Sequence, residues 1–278
     1  MRSLLSAGLL ACGLWLATPS LAAEPGIDLT IGGESRHFDR AELLARPDAA
    51  TIKVDRDVSY DNQTMTYRAV PLAALLQGLP LPADSVIEAV ASDGFAAQLP
   101  IDLLTNTDAK TAVAWVAVEP ADAPWPKLRG KEVSAGPFYL VWTGDQAATV
   151  RSEQWPYQMA KLTTQPSPAA RWPQLAVDTA LPADDPVRAG QGLFVTQCLA
   201  CHKLNGGGSA DVGPELNRPM NPTEYLAPGV LHTLIRNPAS VRTWPDQKMP
   251  AFPPEQLSDR EIDQVVAYLQ HMAGRRQP

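Results

Sequence analysis

The sequence predicts two domains in tandem, an α+β domain followed by an all-α domain. Its 278 residues suffice for two domains of moderate size. Residues 24–165 mix short strand patterns with brief helical ones, whereas residues 184–278 contain helical patterns. Between them, residues 166–183 are rich in proline and lack a sustained period, which predicts a linker stiffened by proline.

Strands of the first domain are predicted from alternation and from turn signals. Residues 86–91 and 95–99 flank Ser92-Asp93-Gly94, which favours a β-hairpin. Residues 70–76 are apolar, carry Pro71 near their start and precede Gly78, so we expect a short helix there. Further strands are expected at residues 27–31, 51–54, 112–118 and 138–142.

Helices of the second domain are predicted from their capping residues. Asp185-Pro186 should begin a helix that runs to about Gln197. A second helix is expected at residues 229–236, before Pro238. The segment 258–261 reads Ser-Asp-Arg-Glu, a capping box that should begin the last helix.

The first 23 residues resemble an export signal in composition. Arg2 precedes an apolar run at residues 4–16, and residues 20–23 are small enough for cleavage. We therefore expect a signal peptide at residues 1–23 and a periplasmic protein. The alternative is a lipid anchor at Cys12, in Leu9-Leu10-Ala11-Cys12. No later stretch approaches the roughly 20 apolar residues of a membrane span, so none is expected in the mature protein.

The charge of the chain is distributed unevenly. The net charge is −7, which argues against nucleic-acid binding. Residues 24–165 hold 12 Lys and Arg against 19 Asp and Glu, whereas residues 166–278 hold 10 against 11. The acidic surface therefore belongs to the first domain.

The segment Cys198-Leu199-Ala200-Cys201-His202 has the pattern C-x-x-C-H, which is typical of c-type haem attachment. Two thiols at this spacing can form thioethers with the vinyl groups of one haem, and the adjacent His202 can bind the iron. The alternatives are a redox dithiol and half of a zinc site. A dithiol does not need His202, and a zinc site needs further ligands.

Residues 184–274 resemble a class I (monohaem) cytochrome c domain. The matching features are Gly190, Phe194, the C-x-x-C-H segment, Gly213-Pro214, Asn237-Pro238, Lys248-Met249-Pro250 and Tyr268-Leu269, in that order. The resemblance implies one haem c (heme c), bound through Cys198 and Cys201, with His202 and Met249 as the two iron ligands. It also implies that Gly190 and Phe194 pack on Tyr268, and that the carbonyl of Pro214 orients His202.

The sixth iron ligand has alternatives. A methionine sulfur suits an electron-transfer haem because it favours the ferrous state. Met249 is the expected ligand, Met220 is the second choice, and His232 would give a site with two histidines.

Residues 60–162 resemble the molybdopterin-binding domain of sulfite-oxidase-type enzymes. The matching segments include residues 70–76, Ala91-Ser92-Asp93-Gly94-Phe95, Gly136-Pro137-Phe138 and Trp155-Pro156-Tyr157. That family holds molybdenum through a cysteine thiolate, and residues 24–165 contain no cysteine. We therefore expect no molybdenum cofactor. Asp55, Asp57 and Asp93 are candidate acids or metal ligands, and the alternative is that they are solvated loop carboxylates. Arg151 with Trp155 and Tyr157 could shape a pocket, and the alternatives are a surface cation–π cluster or plain packing.

Together these features predict an exported c-type cytochrome, an electron carrier rather than an enzyme, that works between periplasmic redox proteins. The alternative is a cytochrome subunit of a periplasmic dehydrogenase, whose first domain docks the catalytic subunit. A haem enzyme such as a peroxidase would need an open iron position, which Met249 argues against. We expect a haem edge near Cys201 to reach the surface and meet the partner.

Overall fold

The computed structural model describes residues 24–245 and 247–276, which form a sheet-rich domain followed by a helical domain. This arrangement confirms the predicted fold class. The expected signal peptide, with Cys12, lies outside the described residues. Within the described ranges, every helix is too short or too polar to cross a bilayer.

Two sheets form the first domain. Their strands are β1 (Gly26–Ile31), β2 (Glu34–Asp39), β3 (Ala50–Asp57), β4 (Gln63–Pro71), β5 (Ser85–Ala91), β6 (Ala96–Pro100), β7 (Val113–Val118), β8 (Phe138–Thr143) and β9 (Met159–Pro166). One sheet has the order β2-β1-β9-β5-β6, and the other has the order β3-β4-β7-β8. Strands β1 and β9 are parallel, and the other neighbours are antiparallel. Strand β6 therefore lies at a sheet edge.

Short helices connect these strands. They are α1 (Arg40–Ala45), α2 (Leu72–Leu76) and α3 (Ile101–Thr105), with 3-10 turns at Val58–Tyr60, Ala147–Thr149 and Ser152–Gln154. The predicted helix at residues 70–76 begins later than expected, because Val70 and Pro71 still pair with β7. The predicted hairpin is confirmed: Ile87 pairs with Leu99, and Gly94 takes a φ of +89° in the turn.

The second domain is built from short helices around one long C-terminal helix. The helices are α4 (Pro168–Arg171), α5 (Pro186–Leu193), α6 (Pro222–Tyr225), α7 (Val230–Arg236), α8 (Pro238–Val241) and α9 (Asp259–Ala273), with a 3-10 turn at Pro173–Leu175. The helix predicted to reach Gln197 changes character after Leu193 and continues as a π-helical turn, Phe194–Cys198. The predicted capping box is confirmed, because Ser258 and Glu261 cap α9 reciprocally.

Helices α5 and α9 cross at Gly190. A Cβ atom at this position would lie 1.9 Å from the carbonyl oxygen of Gln264 and 2.9 Å from Cβ of Tyr268. The rings of Phe194 and Tyr268 pack with centroids 5.3 Å apart. The expected packing of these residues is therefore confirmed, and it fixes the turn that carries the cysteines.

The segment predicted as a linker, residues 166–183, packs closely on the second domain. Trp172, Leu175 and Val177 are buried in the same apolar cluster as Phe194 and Tyr268. The hydroxyl of Tyr268 donates to the carbonyl of Leu175 at 2.7 Å. Three apolar side chains, spaced irregularly between prolines, therefore hold this segment on the second domain, although its sequence has no regular period.

Candidate functional site: a haem-attachment turn

A π-helical turn ends at Cys198, the first of the two cysteines. The N–H of Leu199 donates to the carbonyl of Phe194 at 2.8 Å, which closes the wide turn. The N–H groups of Cys201 and His202 both donate to the carbonyl of Cys198, at 3.1 and 2.9 Å. The chain therefore bends tightly between Cys198 and His202, the segment that holds both thiols and the imidazole.

His202 is oriented by the loop beneath it. Its Nδ1–H donates to the carbonyl of Pro214 at 2.8 Å, as expected. Because a carbonyl can only accept, this bond assigns the proton to Nδ1 and leaves a lone pair on Nε2. Gly213 packs on the ring, since a Cβ there would lie 2.5 Å from Cε1 of His202. Burial lowers the pKa of His202, although the bond to Pro214 opposes that effect, and the neutral imidazole is the form that binds metal.

The two thiols are not those of a reactive dithiol. Burial, reinforced by the negative charge of Glu153, raises the pKa of Cys198 to about 12. Burial also raises the pKa of Cys201, with a further contribution from Glu153. Redox dithiols need at least one lowered thiol pKa. Within the described ranges, no group of three or more His, Cys, Asp or Glu side chains is placed to hold a metal ion, which argues against zinc.

These residues fit a covalently attached haem. Two free thiols flank one bend of the chain, and a neutral, oriented imidazole follows directly. A haem bound here would be held by Cys198 and Cys201, with His202 offering Nε2 to the iron.

Met249 lies in the loop between α8 and α9 and packs, partly buried, against the apolar cluster of the second domain. Arg236 anchors this loop: Nη1 donates to the carbonyl of Phe252 and, at 2.7 Å, to that of Leu257. The rival Met220 is 50% exposed. Ligation by Met249 stays a prediction, now favoured over ligation by Met220 because of their different surroundings.

The other histidines are engaged elsewhere. The ring nitrogens of His232 lie 2.8 Å from Asp263 and 3.3 Å from Asp259. Nε2 of His271 accepts from the N–H of Asp178 at 3.2 Å. His232 would have to abandon both carboxylates to reach an iron, so the alternative with two histidines is disfavoured.

The first domain lies directly against the attachment turn. The N–H of Ala96, on the open edge of β6, donates to the carbonyl of Ala200 at 2.9 Å. Buried Glu88 accepts hydrogen bonds from Gln98, from Arg171 at 2.8 Å, and from Ser209, which follows the motif. A redox partner approaching the cysteines from this side therefore meets the first domain.

A second polar bridge joins the domains. Nη2 of Arg151 donates to Glu261 on α9 at 2.5 Å, and Nη1 donates to the carbonyl of Gln256 at 2.9 Å. Of the three residues that the sequence grouped, Arg151 and Trp155 line a cavity of about 330 Å³ between the domains, and Tyr157 does not line it.

Of the three candidate aspartates, Asp57 has a structural role. It is fully buried and accepts from the hydroxyls of Tyr67 at 2.7 Å and Tyr139 at 2.9 Å. Burial raises the pKa of Asp57, and these hydrogen bonds oppose that effect. Asp55 pairs with Lys53 on the surface, and Asp93 accepts from Phe95 in the hairpin turn.

Sequence reasoning missed Glu88, Glu153 and Gln197 as residues near the motif. Glu88 and Glu153 act on residues of the other domain, and no local pattern in either segment signals those partners. The acidic bias of the first domain was the one available hint, and it does not single out a residue.

The fold and the site together define the second domain as a c-type haem-binding domain. Residues 187–273 match the family model of cytochrome c, so this domain is a cytochrome c domain. Such a domain carries haem c and transfers electrons.

A solved structure, the sulfane dehydrogenase SoxCD from Paracoccus pantotrophus, matches 51% of this chain and 38% of that chain, with 15% identity and a TM-score of 0.36. The match thus spans well under half of that chain. No curated protein matches the sequence.

Proposed function

We propose that this protein is an exported c-type cytochrome that carries one covalent haem and transfers single electrons between periplasmic redox proteins. The observation that carries the proposal is the bond between His202 and Pro214, placed directly after the two cysteine thiols. It supplies the oriented, neutral nitrogen that an iron ligand requires.

The residues of the site have separate tasks in this proposal. A bound haem supplies one-electron redox chemistry. Cys198 and Cys201 would prevent its loss by forming thioethers, and His202 and Met249 would bind its iron. A fixed pair of ligands changes little between oxidation states, and the anchoring of the Met249 loop by Arg236 serves that rigidity.

The first domain supplies the docking surface in this proposal. It carries the excess of acidic residues, whereas the cytochrome c domain is nearly neutral. Complementary charge accelerates the encounter of redox proteins and makes it sensitive to salt. The partner would be a basic redox protein or a dehydrogenase subunit.

The test is to produce the full chain in a cell that attaches haem and to measure haem content, visible spectrum and co-purifying proteins. We expect one haem per chain that survives denaturation, and a methionine–iron charge-transfer band when oxidised. The variant with Cys198→Ser and Cys201→Ser should lose covalent haem. A colourless wild-type protein would contradict the proposal.

Export is tested with the same material. We expect the protein in the periplasmic fraction without its leader. The variant Cys12→Ser should behave like wild type if the leader is removed whole, and it should be released from membranes if Cys12 carries a lipid.

A further inference from the structure

A polar cluster without partners lies where the two domains meet beside the cysteines. The turn Ser152–Gln154 of the first domain packs against the turn Phe194–Cys198. Gln197 is 2% exposed, and neither its amide nitrogen nor its amide oxygen has a hydrogen-bond partner among the described residues. The hydroxyl of Ser152 is equally unpaired there.

Glu153 belongs to this cluster and is half-buried. Among the described residues, its carboxyl forms neither an ion pair nor a hydrogen bond. When it is ionised, Glu153 raises the pKa of the thiols of both Cys198 and Cys201. Glu153 is therefore close enough to the haem-attachment bonds to influence, and be influenced by, a charge on the cofactor.

The surroundings of Glu153 favour its neutral form. A carboxylate partly removed from water without donors is costly, because nothing replaces the hydration that it loses. Burial raises the pKa of Glu153 to about 7. The group can therefore gain or lose a proton near neutral pH in response to a small change of potential.

We propose that Glu153 is a proton-binding site linked to the haem, so that the protein takes up a proton at Glu153 when it accepts an electron. This inference rests on the proposed electron-transfer function. The electron comes from the donor protein and reduces ferric iron to ferrous iron. The proton comes from solvent and forms the O–H bond of the carboxylic acid, so charge near the cofactor is conserved.

The other charged groups around the cluster do not replace Glu153 in this role. Asp93 raises the pKa of Cys201, and Lys131 lowers it. Lys131 also donates a hydrogen bond to the hydroxyl of Tyr157. Arg151, two positions before Glu153, is neutralised by Glu261. Strand β6, which also packs on the turn, has no titratable side chain, and Cys198 no longer titrates as a thioether.

The test compares the haem-loaded wild type with Glu153→Gln. The midpoint potential of the wild type should fall as pH rises through neutrality, and that slope should vanish in Glu153→Gln. A tenfold difference in proton affinity between the two oxidation states corresponds to about 59 mV for a one-electron couple. The control Glu132→Gln changes an exposed carboxylate paired with Lys127 and should retain the wild-type slope.

An infrared difference spectrum between the oxidised and reduced protein gives a second readout. The carbonyl band of a carboxylic acid should appear on reduction in the wild type and in Glu132→Gln, and should be absent in Glu153→Gln. Glu153→Asp should restore a band if Glu153→Gln proves unstable. A haem-loaded protein with an unaltered slope and band in Glu153→Gln would overturn this inference and leave electron transfer intact. A colourless protein would overturn both.

Discussion

The N–H of Ala96 donates a hydrogen bond of 2.9 Å to the carbonyl of Ala200, a residue between Cys198 and Cys201. Ala96 lies on an edge strand, where open backbone groups would otherwise face water or another chain. The first domain thus uses its free sheet edge to bind the motif of the second. The haem-attachment turn is a contact surface between domains.

Met249→Ala should lower the midpoint potential by on the order of 0.1 V, within the ~0.8 V range that axial ligands span. It should also open the iron to carbon monoxide, because the sulfur ligand is gone. Spectroelectrochemistry and a ligand-binding titration measure the two effects. Met220→Ala is the matched control, since Met220 is 50% exposed, and it should change neither. If Met220→Ala changed the potential and carbon monoxide binding and Met249→Ala did not, Met220 would be the iron ligand.

Gly190→Ala and Gly192→Ala should have opposite effects on stability, although both lie on α5. At Gly190 the new Cβ would meet the carbonyl of Gln264 at 1.9 Å, so α5 and α9 must separate, at about 1–3 kcal/mol. At Gly192 no atom lies within 4 Å, and the change should stabilise the helix by ~0.5–1 kcal/mol. The denaturant midpoints of the two variants, each compared with that of the wild type, measure these changes in stability. Equal destabilisation would contradict the close crossing.

Glu88 and Ser209 should be energetically coupled across the domain boundary. Their hydrogen bond joins β5 to the loop after the motif, and Glu88 is buried. A double-mutant cycle with Glu88→Gln and Ser209→Ala should give a coupling of about 0.5–3 kcal/mol, because contacting residues are not additive. The pair Glu34→Gln and Ser209→Ala is the control, since Glu34 lies on the far edge strand β2. If the changes in unfolding free energy of Glu88→Gln and Ser209→Ala were additive, the hydrogen bond between these residues would not stabilise the contact of the two domains.

The stability of the haem-loaded protein should decline as pH rises from the ordinary Glu pKa, near 4.3, towards about 7. In that interval folded Glu153 holds its proton more tightly than the unfolded chain does, so a rise in pH favours unfolding. Glu153→Gln should flatten this part of the profile. Urea unfolding at a series of pH values measures it. A wild-type profile that rises over the same interval would disagree with a half-buried, unpaired carboxyl.

The sequence was most informative where one local signal determines one local structure. The turn at Gly94 fixed the hairpin of β5 and β6, and Ser258 with Glu261 fixed the start of α9. A family resemblance predicted the contact of His202 with Pro214, which is present, whereas haem attachment at Cys198 and Cys201 stays a prediction from C-x-x-C-H. In each case the deciding residues are close in sequence or belong to a known ordered motif.

Elements determined by distant partners were missed. Strand β2 is mostly exposed and polar, so it has no apolar alternation to detect. Strand β9 lies between β1 and β5, and its residues do not alternate in burial. Glu153 and Gln197 acquire their properties because the domains meet, and neither segment specifies that meeting alone.

The contact of Ala96 with Ala200 also constrains the order of assembly. An attachment enzyme must bring haem to Cys198 and Cys201 while both thiols are accessible, and the closed protein leaves them half-buried beneath the first domain. We therefore expect the thioethers to form before the two domains close on each other. In that order, closure of the first domain would cover the turn between Cys198 and Cys201 after the haem is attached.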